Sequence, residues 1–242
     1  MKNFILQNEN AIYFECKFSC DNVIFLNLNN ENYFITDARY TTEAKEYTKN
    51  CEVIESSNLI ETAKEILKKN KIKKIVFDPN DFNYASYIKL TENIKTQFIA
   101  QANFSKEKRV IKSEKEIKLL KKAAITGRVG FKELAKFIRK NGFNQNEQFL
   151  YFKAFEKMSQ TGKLDISFEP IVAINENAAK PHALPTSKKL KLNDLLLVDA
   201  GIKYKRYCSD RTCTSAVDFE NSLLKESKNS KIQNTKKFMI SF

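Results

Sequence analysis

The sequence predicts an α/β fold (α/β, then α+β) in two parts, and three observations carry that prediction. Short apolar runs alternate with helix-patterned segments up to about residue 105. A long helix with its own cap opens at Ser113. From Phe168 the apolar period becomes that of strands. The chain has 242 residues, 42% of them hydrophobic, which is enough for packed cores in one or two domains. The same composition excludes a wholly disordered or collagen-like chain.

In the first part, residues 12–14, 23–28 and 33–36 are read as strands, with Asn29-Asn30-Glu31-Asn32 as a hairpin turn because Asn tolerates positive φ. Residues 38–48 read as helix and 51–55 as strand. Residues 59–69 form a helix with Leu59, Ile60, Ala63, Ile66 and Leu67 on one face. A strand over 74–77 ends at Asp78-Pro79, and a helix over 82–90 and a strand over 96–100 follow. Strands alternating with helices predict an α/β domain over residues 1–105.

The Lys-rich segment beginning near residue 101 reads as a connection, with the linker itself placed at 106–112. Ser113 and Glu116 have the spacing of a capping box. Ile117, Leu120, Ala124, Val129, Phe131, Leu134 and Ile138 then supply apolar faces. Gly127 and Gly130 suit a bend or a close approach, and Asn141-Gly142 is expected to end the helix in a left-handed cap. A second helix is expected over 147–159. Strands are expected over 168–174, 195–201 and 206–217, closing a second domain at 113–217. Residues 218–242, rich in Ser, Asn and Lys, read as a divergent, disordered tail.

Charge is uneven. Residues 1–105 carry a net −1, residues 106–217 a net +12. Of the 42 basic residues only six are Arg, and Lys and Asn are abundant throughout, so no stripe of Arg with stacking aromatics marks a nucleic-acid surface. Nucleic acid is therefore disfavoured as a partner. No apolar run approaches the roughly 18 residues of a membrane span, so no membrane association is expected. The N-terminus has neither the apolar core nor the cleavage site of a signal peptide. Five cysteines (16, 20, 51, 208 and 213), odd in number and without a CxxC pair, fit a reduced, cytoplasmic setting. His182 is the only histidine, which limits the available chemistry.

That chemistry concentrates in residues 195–217. Asp199 follows a buried-looking apolar run, where a lone charge is costly. If Tyr204-Lys205 forms the turn, Asp199 lies directly opposite Asp210 on the next strand. Two facing carboxylates repel each other. A divalent ion or a shared proton relieves that repulsion, and carboxylates of this kind suit a two-metal site.

The surrounding residues add a resemblance. Phe168-Glu169-Pro170-Ile171-Val172-Ala173, Asn177-Ala178-Ala179-Lys180-Pro181-His182, Asp199-Ala200-Gly201 and Ser209-Asp210-Arg211-Thr212 follow the order and gaps of the pita-bread metallopeptidases, in the Xaa-Pro aminopeptidase and prolidase branch. In the first part, Phe34-Ile35-Thr36-Asp37-Ala38-Arg39-Tyr40-Thr41 resembles a segment of the creatinase-type N-terminal domain. The resemblance covers residues 1–217 and implies a creatinase-like domain followed by the first half of a pita-bread catalytic domain. It implies two divalent ions (manganese, cobalt or zinc), with Asp199 and Asp210 as metal ligands and His182 beside the substrate as a donor rather than a ligand. The implied substrate is a peptide with proline at its second position.

The family's remaining ligands, one His and two Glu, have no counterpart after Asp210. The resemblance therefore implies a chain cut before those three ligands and little or no activity alone. A complementing C-terminal chain is the implied partner, and a homo-oligomer is also admitted. The competing expectation is a non-catalytic module that binds peptide or protein. Asn175, where the family commonly has Gly, and Cys213, where it has Arg, are smaller departures.

Overall fold

The computed structural model describes residues 2–217, which divide into two compact units with the division at Ile111 and Lys112. Residues 218–242, read from sequence as a tail, lie outside the described residues.

The first unit holds β1 (Phe4–Leu6), α1 (Glu9–Cys16), β2 (Val23–Leu28), β3 (Glu31–Thr36), α2 (Thr41–Tyr47), β4 (Glu52–Glu55), α3 (Leu59–Lys69), β5 (Lys74–Phe77), α4 (Tyr84–Thr91), β6 (Gln97–Ala100) and α5 (Phe104–Lys108). Its six strands form one mixed sheet in the order β4-β3-β2-β1-β5-β6. The pairs β1–β2 and β2–β3 are antiparallel, the other three parallel. Strand alternation divides the apolar residues between two cores. Ile5, Ile24, Leu26, Ile35 and Ile75 pack with Ala63, Ile66 and Leu67 of α3 on one face. Phe4, Leu6, Phe25, Phe34 and Val76 pack with Ile12 and Cys16 of α1 on the other. With both faces covered, the unit is a three-layer α/β domain.

Two local expectations change here. Residues 12–14 are helical, inside α1, not a strand. Asn8 caps that helix by accepting from the Ala11 N–H at 3.0 Å, and Lys17 ends it with φ 69°. The β2–β3 turn is only Asn29-Asn30, both at positive φ, so Glu31 and Asn32 already belong to β3. Phe104 of α5, in the segment read as Lys-rich connection, is buried in the first unit's core.

The Asp37–Thr41 motif is a folded turn leading into α2. The Asp37 carboxylate accepts from the Arg39 backbone N–H at 2.9 Å, from Arg39 Nε at 3.0 Å and Nη2 at 2.8 Å, and from the Asn22 amide. These donors, Arg39 first, hold the Asp37 carboxyl well below the usual carboxylate range. A depressed folded pKa gives stability that is complete above the unfolded value of about 3.9 and is lost as pH falls below it. Acid titration followed by NMR is expected to show the Asp37 carboxyl among the last carboxyls to protonate, and Arg39→Ala is expected to move it back up.

The second unit begins with α6 (Glu114–Asn141) and α7 (Glu147–Met158), followed by β7 (Asp165–Ile166), β8 (Ile171–Ile174) and a 3-10 turn (Asn175–Ala179). Then come β9 (Leu195–Ala200), β10 (Ile202–Tyr204), β11 (Tyr207–Cys208) and β12 (Arg211–Ala216). The Ser113–Glu116 capping box forms as the sequence predicts. Gly142 ends α6 with φ −82°, a right-handed value, so the predicted left-handed cap is absent. Glycine is needed there because a Cβ would sit 2.5 Å from the Ile138 carbonyl oxygen.

The strands form two small sheets, β12-β9-β8 and β11-β10-β7. Phe131, Leu134 and Ile138 of α6, with Leu150, Ala154 and Met158 of α7, cover the Val172, Leu196, Val198 and Ala200 side of the sheet. Asp199 alternates onto the opposite side. Among the described residues no helix is long and apolar enough to cross a membrane.

Candidate functional site

The site rests on the β9–β12 hairpin and on what pins it. Lys205 and Arg206 form the turn, both at positive φ, with Tyr204 opposite Tyr207. The turn expected at Tyr204-Lys205 is therefore displaced by one residue, and the register by two. Asp199 lies opposite Thr212, not opposite Asp210. Thr212 Oγ1 donates to Asp199 Oδ1 at 2.8 Å. Asp210 stands in the break between β11 and β12, so the strand expected over 206–217 is interrupted there and Asp210 has no partner in the ladder. Asp199 is thus tied to the Thr212 hydroxyl, while Asp210 lies outside the paired segment.

Close packing fixes that geometry. Ser209 donates its N–H to the Ile202 carbonyl at 2.9 Å, and its own carbonyl accepts from Ser167 Oγ at 2.7 Å. A Cβ on Gly201 would lie 1.9 Å from that Ser209 oxygen, and one on Gly127 would lie 2.8 Å from Ser209 Oγ. Gly127 thus serves close approach of α6 to the hairpin. A groove of about 740 Å³ lies between α6 and β12, lined by Ala124, Arg128, Phe131, Asp210, Thr212 and Cys213 among others. Arg211 donates from Nε to Cys213 Sγ at 3.1 Å, and its guanidinium lies over the Phe131 ring, so Cys213 has a cationic neighbour.

His182 is exposed, in the turn after the 3-10 segment, and is not among the residues lining the groove. Its loop is held by Glu147, which is fully buried. The Glu147 carboxylate accepts from the Ile174 N–H at 2.6 Å, Asn177 Nδ2 at 2.9 Å, the Thr186 N–H at 2.7 Å and Thr186 Oγ1 at 2.6 Å. Asn175, at φ 53°, supplies the left-handed residue where the family commonly has Gly. Its side chain ties the loop to β9 by accepting from the Leu195 N–H at 2.7 Å. Neither Glu147 nor Thr212 is legible as a site residue from sequence. A first-turn Glu looks like a dipole partner, and Thr212 is one of several alternating hydroxyl residues.

Two carboxylates are hard oxygen donors suited to a divalent ion. They fit such an ion in kind but fall short in number, because no group of three or more His, Cys, Asp or Glu gathers among the described residues.

Comparison with known proteins places these features. The creatinase/prolidase N-terminal domain model matches residues 1–111, and the metallopeptidase family M24 model matches residues 118–233. The second match runs past Val217, where the resemblance was expected to stop. An uncharacterized peptidase of Bacillus subtilis, YqhT, is 35% identical over 199 residues, which is 80% of this chain and 54% of that protein. The Xaa-Pro dipeptidase of Pyrococcus horikoshii is 30% identical over 145 residues, 60% of this chain and 40% of that one. The structure of an Xaa-Pro dipeptidase from Bacillus anthracis superposes with TM-score 0.80 at 28% identity, covering 93% of this chain and 63% of the other. An X-Pro aminopeptidase from Thermotoga maritima gives TM-score 0.79 at 25% identity, with 93% and 65% covered. The chain thus spans about half the length of the curated relatives it matches.

Proposed function

Because the chain joins a creatinase/prolidase N-terminal domain to part of an M24 metallopeptidase domain, we propose that it serves a metal-dependent peptidase of the Xaa-Pro-cleaving type. In this reading it contributes the Asp199 and Asp210 carboxylates to a divalent-ion site completed by a second, complementing chain. The observation that supports the reading is the succession of the two domain matches along the chain, with Asp199 opposite Thr212 on the β9–β12 ladder.

The ions, when bound, would supply a more acidic water and Lewis-acid polarisation of the amide. This chain's residues do the rest. Thr212 holds Asp199 in one orientation, as an outer partner does for a ligand. Glu147 fixes the loop from which His182 would donate an N–H to the substrate or to developing negative charge. A cytoplasmic setting fits the free cysteines.

Manganese titrated into the full chain alone is expected to bind weakly. Adding a chain that carries the rest of an M24 domain should produce cleavage of Xaa-Pro peptides. Asp199→Asn or Asp210→Asn in that pair should lower activity on the order of a hundredfold or more, and Thr212→Val about tenfold. Full activity of both Asn variants would sink the assignment.

That no group of three or more His, Cys, Asp or Glu gathers among the described residues favours one other reading, a non-catalytic peptide- or protein-binding module. Peptide binding that persists in chelator and ignores both Asn substitutions would select it.

A further inference from the structure

The strand β12 ends its sheet. All of Arg211–Ala216 pair with β9 on one side, and among the described residues no strand pairs with the other side. Backbone N–H and C=O groups along that side therefore point outward without a ladder partner. Protected edges carry Pro, Lys, a bulge or a covering segment. The β12 run, Arg-Thr-Cys-Thr-Ser-Ala, has neither Pro nor Lys and keeps an unbroken register with β9. Thr212, Thr214, Ser215 and Ala216 are all exposed.

The groove between α6 and β12 opens beside this edge. Its helix wall offers Leu120, Ile125 and Phe131. Ile125 is exposed, and so is Val129 one turn further along α6. The groove also carries charge of both signs, Arg128 on the helix wall and Asp210 just before β12. Both are exposed, and neither has an ion-pair or hydrogen-bond partner among the described residues.

A two-fold interface requires a patch that complements itself. An open antiparallel edge meets that requirement, because a strand paired with its own copy presents the same groups from both sides. A groove with a cation on one wall and a carboxylate on the other meets it too, because Arg128 of each copy can face Asp210 of the other. From these features we infer that a second copy of this chain docks here. The two β12 strands pair antiparallel across a two-fold axis and join two three-stranded sheets into one. Ile125 and Val129 of each copy leave water in the interface, which adds apolar burial to the new backbone bonds. The dimer stands apart from the peptidase reading, since it requires neither metal nor substrate.

The test is the mass of the full chain in solution, followed by analytical ultracentrifugation over a range of concentrations. A reversible shift from the 28.1 kDa monomer to twice that mass is expected as concentration rises. Thr214→Lys brings two like charges together near the axis and should weaken the dimer at least about tenfold. Arg128→Asp and Asp210→Arg should each weaken it to a similar degree. The double variant restores opposite signs and should recover much of that loss, which damage to the fold would not do. Hydrogen exchange supplies a readout that needs no variant: the β12 amides should exchange more slowly at high concentration than at low. The inference is overturned if the chain stays monomeric throughout, if a dimer forms whose β12 amides exchange as fast as the monomer's, or if the double variant associates no better than the single ones.

Discussion

Gly201→Ala is expected to destabilise the second unit by about 3 kcal/mol, at the upper end of what overpacking costs. The added methyl would lie 1.9 Å from the Ser209 carbonyl oxygen and 2.8 Å from its carbonyl carbon, with Ser167 Oγ 2.9 Å away. Two of those atoms are backbone, so no rotamer change relieves the clash and the chain itself must shift. That shift separates the strands at the point where Ser209 bonds both Ile202 and Ser167. It would also move Asp210, the next residue, relative to Asp199. Gly127→Ala tests the same contact from the helix side. There the obstacle is Ser209 Oγ at 2.8 Å, a side-chain atom that can rotate away, although it gives up its bond from the Ile202 N–H at 3.0 Å. The expected cost is about 1 kcal/mol. Denaturant melts should show a lower midpoint for both variants with unchanged slope, and a clearly larger drop for Gly201→Ala. Equal effects would mean that the Gly201 contact is not the constraint on the hairpin.

Much of this architecture is legible in the sequence. The helix over residues 59–69 and the strand over 74–77 match residue for residue, because an amphipathic helix and a bounded apolar strand each carry a clean period. The two-part layout and the pairing of β9, which carries Asp199, with the strand that follows the turn are legible for the same reason. What fails depends on local geometry that composition does not report. Residues 12–14, Ile-Tyr-Phe, favour a strand by propensity, yet Asn8 and Lys17 close a helix around them and burial on one face of the sheet decides the outcome. The hairpin turn at Lys205-Arg206 has neither Asn nor Gly to mark its positive φ values, and a turn misplaced by one residue moves every cross-strand partner by two. That is why Asp199 meets Thr212 instead of Asp210. Asp210 falls just before β12, so the facing-carboxylate geometry expected from the sequence is not formed.

Glu147 is the residue whose importance sequence hides most fully, and its removal should have the largest effect. A carboxylate with no exposure is tolerated only when its oxygens are satisfied, and here four donors from three segments converge on it. Three of them, Asn177 Nδ2 and both Thr186 donors, meet at Oε2, while the Ile174 N–H meets Oε1. Glu147→Leu would strand all four donors in a dry interior, at about 3–5 kcal/mol, because each lost bond to a charged group is costly and water cannot replace it. Glu147→Gln should cost less, about 1.5–3 kcal/mol, because its amide oxygen can still serve the three donors at Oε2 while its NH2 opposes the Ile174 N–H. The loss should be local before it is global. Trypsin should cut first after Lys188 and Lys189, which lie beside Thr186 in the segment that the carboxylate ties down, and only later within α6. Asn177→Ala removes one of the four donors and should open the same sites to a smaller degree. If Glu147→Leu melts no earlier than the native chain, or its first cuts fall in α6, then the buried carboxylate does not hold the loop. His182 would then have to be positioned by something else.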